Sequence, residues 1–192
     1  MVTDNPQPSL PRRKPSPMAL VSLGLGVVIA VSLIALVSFF TGGKVTSAST
    51  TPALVGRTLP SITEASLAGP SLTSPWTSHR ATVVVFFASW CTVCRTELPQ
   101  LSHYLATHQL GKVVVVGVDA QDSRSAGRAT LARYHLDFPA FFDPSSTVTA
   151  GTFLASGLPD TVFVNAKGVV TAMTVGAISP SAFAKGLATL TA

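Results

Sequence analysis

The sequence is poor in metal ligands and in charge. Only two cysteines occur among its 192 residues, which excludes a framework of several disulfides and a zinc site built from cysteine pairs. Charged residues make up 11% of the sequence, and the net charge of +5 is not concentrated in a run of basic residues. The sequence therefore does not predict binding to nucleic acid. We expect no cofactor and no metal site, because the four histidines lack the paired spacing of zinc ligands. These are His79, His103, His108 and His135.

Residues 18–40 contain no charged side chain and form an apolar stretch of 23 residues. About 20 apolar residues suffice to span a bilayer. Basic residues occupy positions 12–14, whereas only Lys44 lies close on the other side. The positive-inside rule therefore predicts a cytoplasmic N-terminus and an extracytoplasmic segment 41–192. A cleaved signal peptide is the alternative. We favour an uncleaved anchor, because the apolar core of a signal peptide is usually about 7–15 residues long.

The chain divides by composition into four parts. Residues 1–17 are rich in proline and predict a disordered cytoplasmic tail. The anchor follows at 18–40. Residues 41–56 are rich in Gly, Ser and Thr and predict a flexible linker. Residues 57–192 have the patterns of a folded α/β domain.

A βαβ unit opens that domain. Residues 82–87 and 113–118 are continuous apolar runs rich in β-branched side chains, which predicts strands buried on both faces of a sheet. Between them, Leu98, Leu101 and Leu105 recur at helical spacing. The crossover from strand to helix to strand should be right-handed.

The remaining elements complete a mixed sheet with flanking helices. A second helix is predicted over residues 125–134, followed by a hairpin of strands 161–164 and 169–175. Ser179, followed by proline, has the chemistry of an N-cap and predicts the start of a last helix. The predicted element order is βαβα and then ββα.

Both cysteines lie in one motif, Trp90-Cys91-Thr92-Val93-Cys94, between the first buried strand and its helix. The positive end of a helix dipole favours thiolate over thiol, so Cys91 is predicted to be the attacking nucleophile. Cys94 lies one helical turn further on and can close a disulfide on Cys91. A purely structural disulfide and a metal site are the alternatives. A short loop gains little stability from a disulfide, and zinc needs about four ligands.

The cysteine motif is followed by Glu97 and Pro99, and other short motifs occur in a fixed order along residues 55–190. They are Ala88-Ser89, Phe138-Pro139, Asp143, Gly157-Leu158-Pro159, Lys167-Gly168 and Gly176. In this order and spacing the sequence resembles the thioredoxin superfamily, and in detail its membrane-anchored TlpA/ResA/CcmG branch. The resemblance implies a thioredoxin-like fold and a thiol–disulfide oxidoreductase working outside the cytoplasm.

The resemblance also implies a substrate-binding set. Pro159 is expected to follow a cis peptide bond and to face the cysteine pair, with a plain trans proline as the alternative. Leu158 is expected to offer backbone hydrogen bonds to an extended substrate. Trp90 is expected to pack beside Cys91 and shield it.

Glu97 is the third catalytic candidate, after Cys91 and Cys94. It follows Cys94 by three residues and so lies on the same side of the helix. The resemblance implies that it accepts the proton of Cys94, and Val85 replaces the buried aspartate of thioredoxin itself. The alternative is an ordinary, partly exposed surface glutamate. Asp160 could influence substrate choice or simply face solvent.

The leading functional hypothesis is a reductase for disulfides of exported proteins that draws electrons from a membrane redox protein. The resemblance implies cytochrome c maturation as one process in which it would act. An oxidant that introduces disulfides is the main alternative, because the pair Thr92-Val93 does not reveal the reduction potential. A peroxidase is disfavoured, since its motif has threonine and proline before a lone cysteine. A copper carrier is disfavoured too, because such proteins typically use C-x-x-x-C.

Overall fold

The computed structural model describes residues 53–191. The predicted tail, the predicted anchor and nearly all of the predicted linker lie outside these residues. Within residues 53–191, no helix has the length and apolar character needed to cross a bilayer.

A mixed sheet forms the centre of the domain, as predicted, but it has five strands where the sequence predicted four. Two short strands, β1 (Thr63–Glu64) and β2 (Leu72–Thr73), pair with each other outside it. The strands of the large sheet are β3 (Thr82–Phe87), β4 (Val114–Ala120), β5 (Ala140–Asp143), β6 (Asp160–Val164) and β7 (Val170–Val175). Their order is β5-β4-β3-β6-β7. The pairs β3–β4 and β4–β5 are parallel, and β3–β6 and β6–β7 are antiparallel, so β3 lies in the middle.

Three α-helices connect and flank these strands. They are α1 (Cys94–Thr107), α2 (Arg124–Arg133) and α3 (Pro180–Ala188). Helix α1 links the parallel strands β3 and β4, as the sequence predicts. Ser179 caps α3, because its hydroxyl oxygen accepts a hydrogen bond from Ala182 N at 3.2 Å and satisfies one free helix donor.

Strand β3 is buried along its whole length, which confirms the interpretation of its continuous apolar run. Val83, Val85 and Phe87 belong to one core cluster, which also contains Leu98 of α1 and Phe183 of α3. The intervening side chains of β3 belong to a second cluster on the opposite face. The end of β3 is therefore held rigidly by packing on both sides.

Several features were not predicted, and β1 and β2 are among them. Strand β5 has only four residues, too few for a periodic signal. A single π-helical segment, Thr147–Thr152, follows it and is fixed by Asp143, whose Oδ2 accepts hydrogen bonds from Thr149 N at 2.7 Å and Thr149 Oγ1 at 2.6 Å. Leu54 is also buried in the core, so the packed chain begins before residue 57.

Candidate active site

Cys91 and Cys94 form a disulfide at the end of the central strand. Their Cα atoms are 5.3 Å apart. Cys91 follows β3 by four residues, and Cys94 is the first residue of α1. The pair therefore lies between a strand fixed by packing and the start of a helix.

Cys91 lies three residues before α1, which begins at Cys94. The sulfur of Cys91 nevertheless contacts the helix start. Cys94 N donates a hydrogen bond to Cys91 Sγ at 3.0 Å, and this N–H is one of the donors that a helix leaves free. A thiolate at Cys91 would keep this donor, so the predicted preference for Cys91 as the nucleophile retains a structural basis.

The side chains of both cysteines are buried. Cys91 exposes 4% of its surface and Cys94 exposes 1%. Two neighbouring side chains are exposed to solvent: Trp90 is 52% exposed and Val93 is 47% exposed. The Trp90 indole donates a hydrogen bond to Gln121 O at 2.9 Å. Half of its surface is therefore free for a substrate.

The Leu158–Pro159 peptide bond is cis, as the resemblance implies. Leu158 is half-buried and packs against the core cluster that contains both cysteines. A groove of about 350 Å³ runs between Leu158 and Trp90, and its lining carries no charged side chain. The groove also includes Gln121 and Thr149. The three predicted substrate-binding residues thus lie at or next to one uncharged groove.

Glu97 is not a surface residue, so the alternative of an ordinary, partly exposed glutamate is wrong. Its side chain is 2% exposed. One carboxyl oxygen, Oε2, accepts a hydrogen bond from Ile178 N at 3.1 Å, and Oε1 has no partner among the described residues. Burial raises the pKa of Glu97 to about 7; the Ile178 hydrogen bond lowers this pKa and the charge of Asp160 raises it. A carboxyl with this pKa can exchange a proton near neutral pH.

Asp160 is also buried, so the option that it faces solvent is wrong. It is 1% exposed and directly follows Pro159. Its Oδ1 accepts a hydrogen bond from Gly176 N at 3.1 Å, and burial raises its pKa despite this bond. The sequence contains a signal for this residue, since an acid that opens a strand as apolar as β6 is unusual.

Val85 lies in the same core cluster as both cysteines and is 1% exposed. The position therefore supplies no proton acceptor behind the pair. Glu97 on α1 and Asp160 on β6 provide buried carboxyls instead. Within residues 53–191, no group of three or more His, Cys, Asp and Glu side chains is placed to hold a metal ion.

Comparison with known proteins identifies the family of this chain. Residues 55–173 match the AhpC/TSA family. The chain belongs to the AhpC/TSA family. Its match covers the sheet through most of β7, including both cysteines, Glu97 and Pro159.

Relatives of this AhpC/TSA chain carry names that describe disulfide chemistry. A thiol:disulfide interchange protein DsbE of Xylella fastidiosa is 29% identical over 83% of this chain and 79% of its own length. A thiol-disulfide oxidoreductase ResA of Bacillus cereus is 21% identical over 64% of this chain and 70% of its own length. With its cysteine pair, the chain is a thiol–disulfide oxidoreductase of this type.

Solved structures establish the fold. A secreted disulfide oxidoreductase of Mycobacterium tuberculosis, described as homologous to E. coli DsbE, superposes with a TM-score of 0.58. The two chains share 23% sequence identity, and the match covers 67% of this chain and 96% of the other. The described domain of this AhpC/TSA protein therefore has the thioredoxin-like fold, as the sequence predicts.

Proposed function

We propose that this protein is a membrane-anchored, extracytoplasmic reductase that converts disulfides of exported proteins into thiols. The observation that carries the proposal is the acidic, buried surrounding of the cysteine pair. Glu97 lies one helical turn from Cys94, and Asp160 follows Pro159. Both carboxyls are almost completely buried.

These surroundings disfavour a thiolate. Burial raises the pKa of a thiol, and the ionised fraction of the two carboxyls acts in the same direction. A strong oxidant needs a stabilised reduced form, usually a stabilised thiolate. The site offers one backbone donor to Cys91 Sγ and two buried acids, which supports a stable disulfide and a dithiol that gives up its electrons readily.

The proposed reaction transfers two electrons from the cysteine pair to a substrate disulfide. The Cys91 thiolate attacks one substrate sulfur, forms a mixed disulfide and releases the other substrate sulfur as a thiolate. Cys94 then loses its proton to Glu97 and attacks Cys91 Sγ. This step closes the Cys91–Cys94 disulfide and releases the second substrate thiolate. A membrane redox protein with a dithiol is proposed to reduce the pair again.

Redox equilibration of the full chain with thiol buffers of known potential tests the direction of electron flow. A reduction potential near the thioredoxin value of about −270 mV supports the reductase. A value near about −120 mV, typical of a strong oxidant, would contradict it and favour the introduction of disulfides.

We propose apocytochrome c as a substrate class, since its haem-attachment motif C-x-x-C-H can close a disulfide between its cysteines. A peptide with the oxidised C-x-x-C-H motif should be reduced by the full chain. A peptide of the same loop length with the histidine replaced is the matched control. Equal rates would remove the support for a preference for cytochrome c.

The proposed location follows from the charge around residues 18–40. Protease added to intact spheroplasts should digest the domain of the anchored protein, whereas an epitope tag before residue 12 should stay protected. Full protection of the domain would contradict this orientation. Release of the domain into the periplasm or medium would instead indicate cleavage of the apolar segment.

A further inference from the structure

The turn after β4 holds the segment of chain that leads into Cys91. Ser89 N donates a hydrogen bond to Asp122 Oδ2 at 2.5 Å. The next side chain, Trp90, donates to Gln121 O at 2.9 Å. Two consecutive residues before Cys91 are therefore fixed to two consecutive residues of this turn.

The hydrogen bond from Ser89 is the stronger of these contacts. Its acceptor is a carboxylate, and charge-assisted hydrogen bonds are shorter and about twice as strong as neutral ones. Asp122 is oriented for this contact by its other oxygen, Oδ1, which accepts from Ser123 N at 2.7 Å. The carboxylate thus bridges the start of α2 and the segment before Cys91.

Asp119 lies behind Asp122 at the end of β4 and is completely buried. Neither of its oxygens accepts a hydrogen bond from an N–H or O–H group of the described residues. Its carboxyl presses against Gly127 of α2, where a Cβ atom would overlap it. Burial raises the pKa of Asp119 to about 7, and the charge of Asp122 and a hydrogen bond with its carboxyl act in the same direction.

These observations agree if Asp119 carries the proton. A neutral carboxyl can donate one hydrogen bond, and we infer that the Asp122 carboxylate accepts it. This arrangement gives the Asp119 carboxyl a hydrogen-bond partner. It also restrains the Asp122 side chain on the side away from Ser89. If both carboxyls were ionised, their charges would repel each other.

We propose that Asp122, braced by the buried carboxyl of Asp119, is a positioning residue that fixes Ser89 and so aims the sulfur of Cys91 at the substrate. The proposal rests on the disulfide-exchange chemistry of the pair and not on the direction of electron flow. Asp122 does not touch the reacting atoms. Its effect is to hold the short segment between β3 and Cys91 in one conformation.

The test measures how fast the reduced full chain reacts with the small disulfide DTNB. Asp122→Ala removes the acceptor, and Asp122→Glu keeps the charge but moves the oxygens by one methylene. Both should slow the reaction by roughly 10- to 100-fold, the scale of a displacement of about 1 Å. Asp122→Asn keeps an acceptor oxygen in place and should restore the rate to within about threefold of the wild type. Asp137→Ala, at an exposed aspartate, is the matched control.

A spectroscopic readout follows the contact itself. The amide proton of Ser89 should resonate downfield in the wild type and in Asp122→Asn, and should move upfield in Asp122→Ala and Asp122→Glu. For the brace, Asp119→Asn should react like the wild type, because its amide can donate to Asp122. Asp119→Leu has no donor and should be slow.

Three outcomes would overturn the proposal. Asp122→Ala could react as fast as Asp137→Ala, Asp122→Asn could be as slow as Asp122→Glu, or Asp119→Leu could match the wild type. If Asp122→Ala does not fold, the comparison of the Asn and Glu variants decides. DTNB reports no direction of electron flow, so a failure here is separate from a reduction potential that contradicts the reductase.

Discussion

Replacing Glu97 by glutamine removes a titrating group while nearly preserving its shape. In the folded protein Glu97 keeps its proton up to about pH 7, whereas its ordinary pKa is 4.5. The folded state therefore binds more protons than the unfolded state between these two pH values. The free energy of unfolding of the wild type should consequently fall as the pH rises through this range.

The magnitude follows from the pKa difference. A pKa raised by about 2.5, at about 1.4 kcal/mol per unit, corresponds to at most about 3.5 kcal/mol of stability lost by the wild type above pH 7. Glu97→Gln cannot ionise and lacks this loss. The variant should therefore gain stability relative to the wild type between pH 5 and pH 8. Its amide oxygen can still accept the hydrogen bond from Ile178 N.

Urea denaturation of the oxidised full chain at both pH values measures this difference. Glu64→Gln is the matched control, because Glu64 is exposed on β1. Asp119 and Asp160 are unchanged in every protein compared, so the pH-dependent difference reports Glu97 together with its coupling to Asp160. Parallel stability curves for Glu97→Gln and the wild type would refute the idea that this carboxyl is held protonated.

The same variant tests the catalytic role. Proton acceptance is typically worth about 10²–10⁴-fold in rate, so Glu97→Gln should slow the resolution of a mixed disulfide and change the pH dependence of this step. Stopped-flow kinetics on both proteins across pH would show this. Superimposable profiles would reduce Glu97 to a structural residue.

Two further predictions concern the nucleophile and the packing. Cys94→Ser should trap a mixed disulfide with substrate through Cys91, and mass spectrometry after non-reducing electrophoresis would reveal the opposite assignment if Cys91→Ser traps it instead. Gly186→Ala should destabilise the protein by about 1–3 kcal/mol, because its Cβ atom would overlap the Phe163 ring. Gly151→Ala, where nothing lies within 4 Å of the added Cβ atom, is the control, and equal denaturation midpoints for the two variants would contradict this reading.

The elements around the cysteines could be predicted because their signals are local. The apolar run of β3 and the Ser179 cap each depend on a few consecutive residues. The burial of Glu97 has a different origin, since its hydrogen-bond partner Ile178 is 81 residues away along the chain. An amphipathic pattern on α1 cannot reveal that a distant loop covers this one glutamate.

The same reasoning explains the two buried aspartates. Asp119 and Asp160 each lie at one end of a strand, a position that usually leads into an exposed loop. Gly127 covers Asp119, and Gly176 donates to Asp160. Both contacts are tertiary and cannot be read from the local sequence. An aspartate is usually exposed, so the residue type alone predicts the wrong burial for these two side chains.

The 4% exposure of Cys91 determines which disulfides the enzyme can reach. Such a recessed sulfur can react only with a disulfide on an extended, protruding segment of polypeptide. The disulfides in the interior of a compact native protein are out of its reach. Under the proposed function, the substrates within reach are polypeptides that have not yet folded. A substrate that folds slowly would then present its disulfide for longer than one that folds fast.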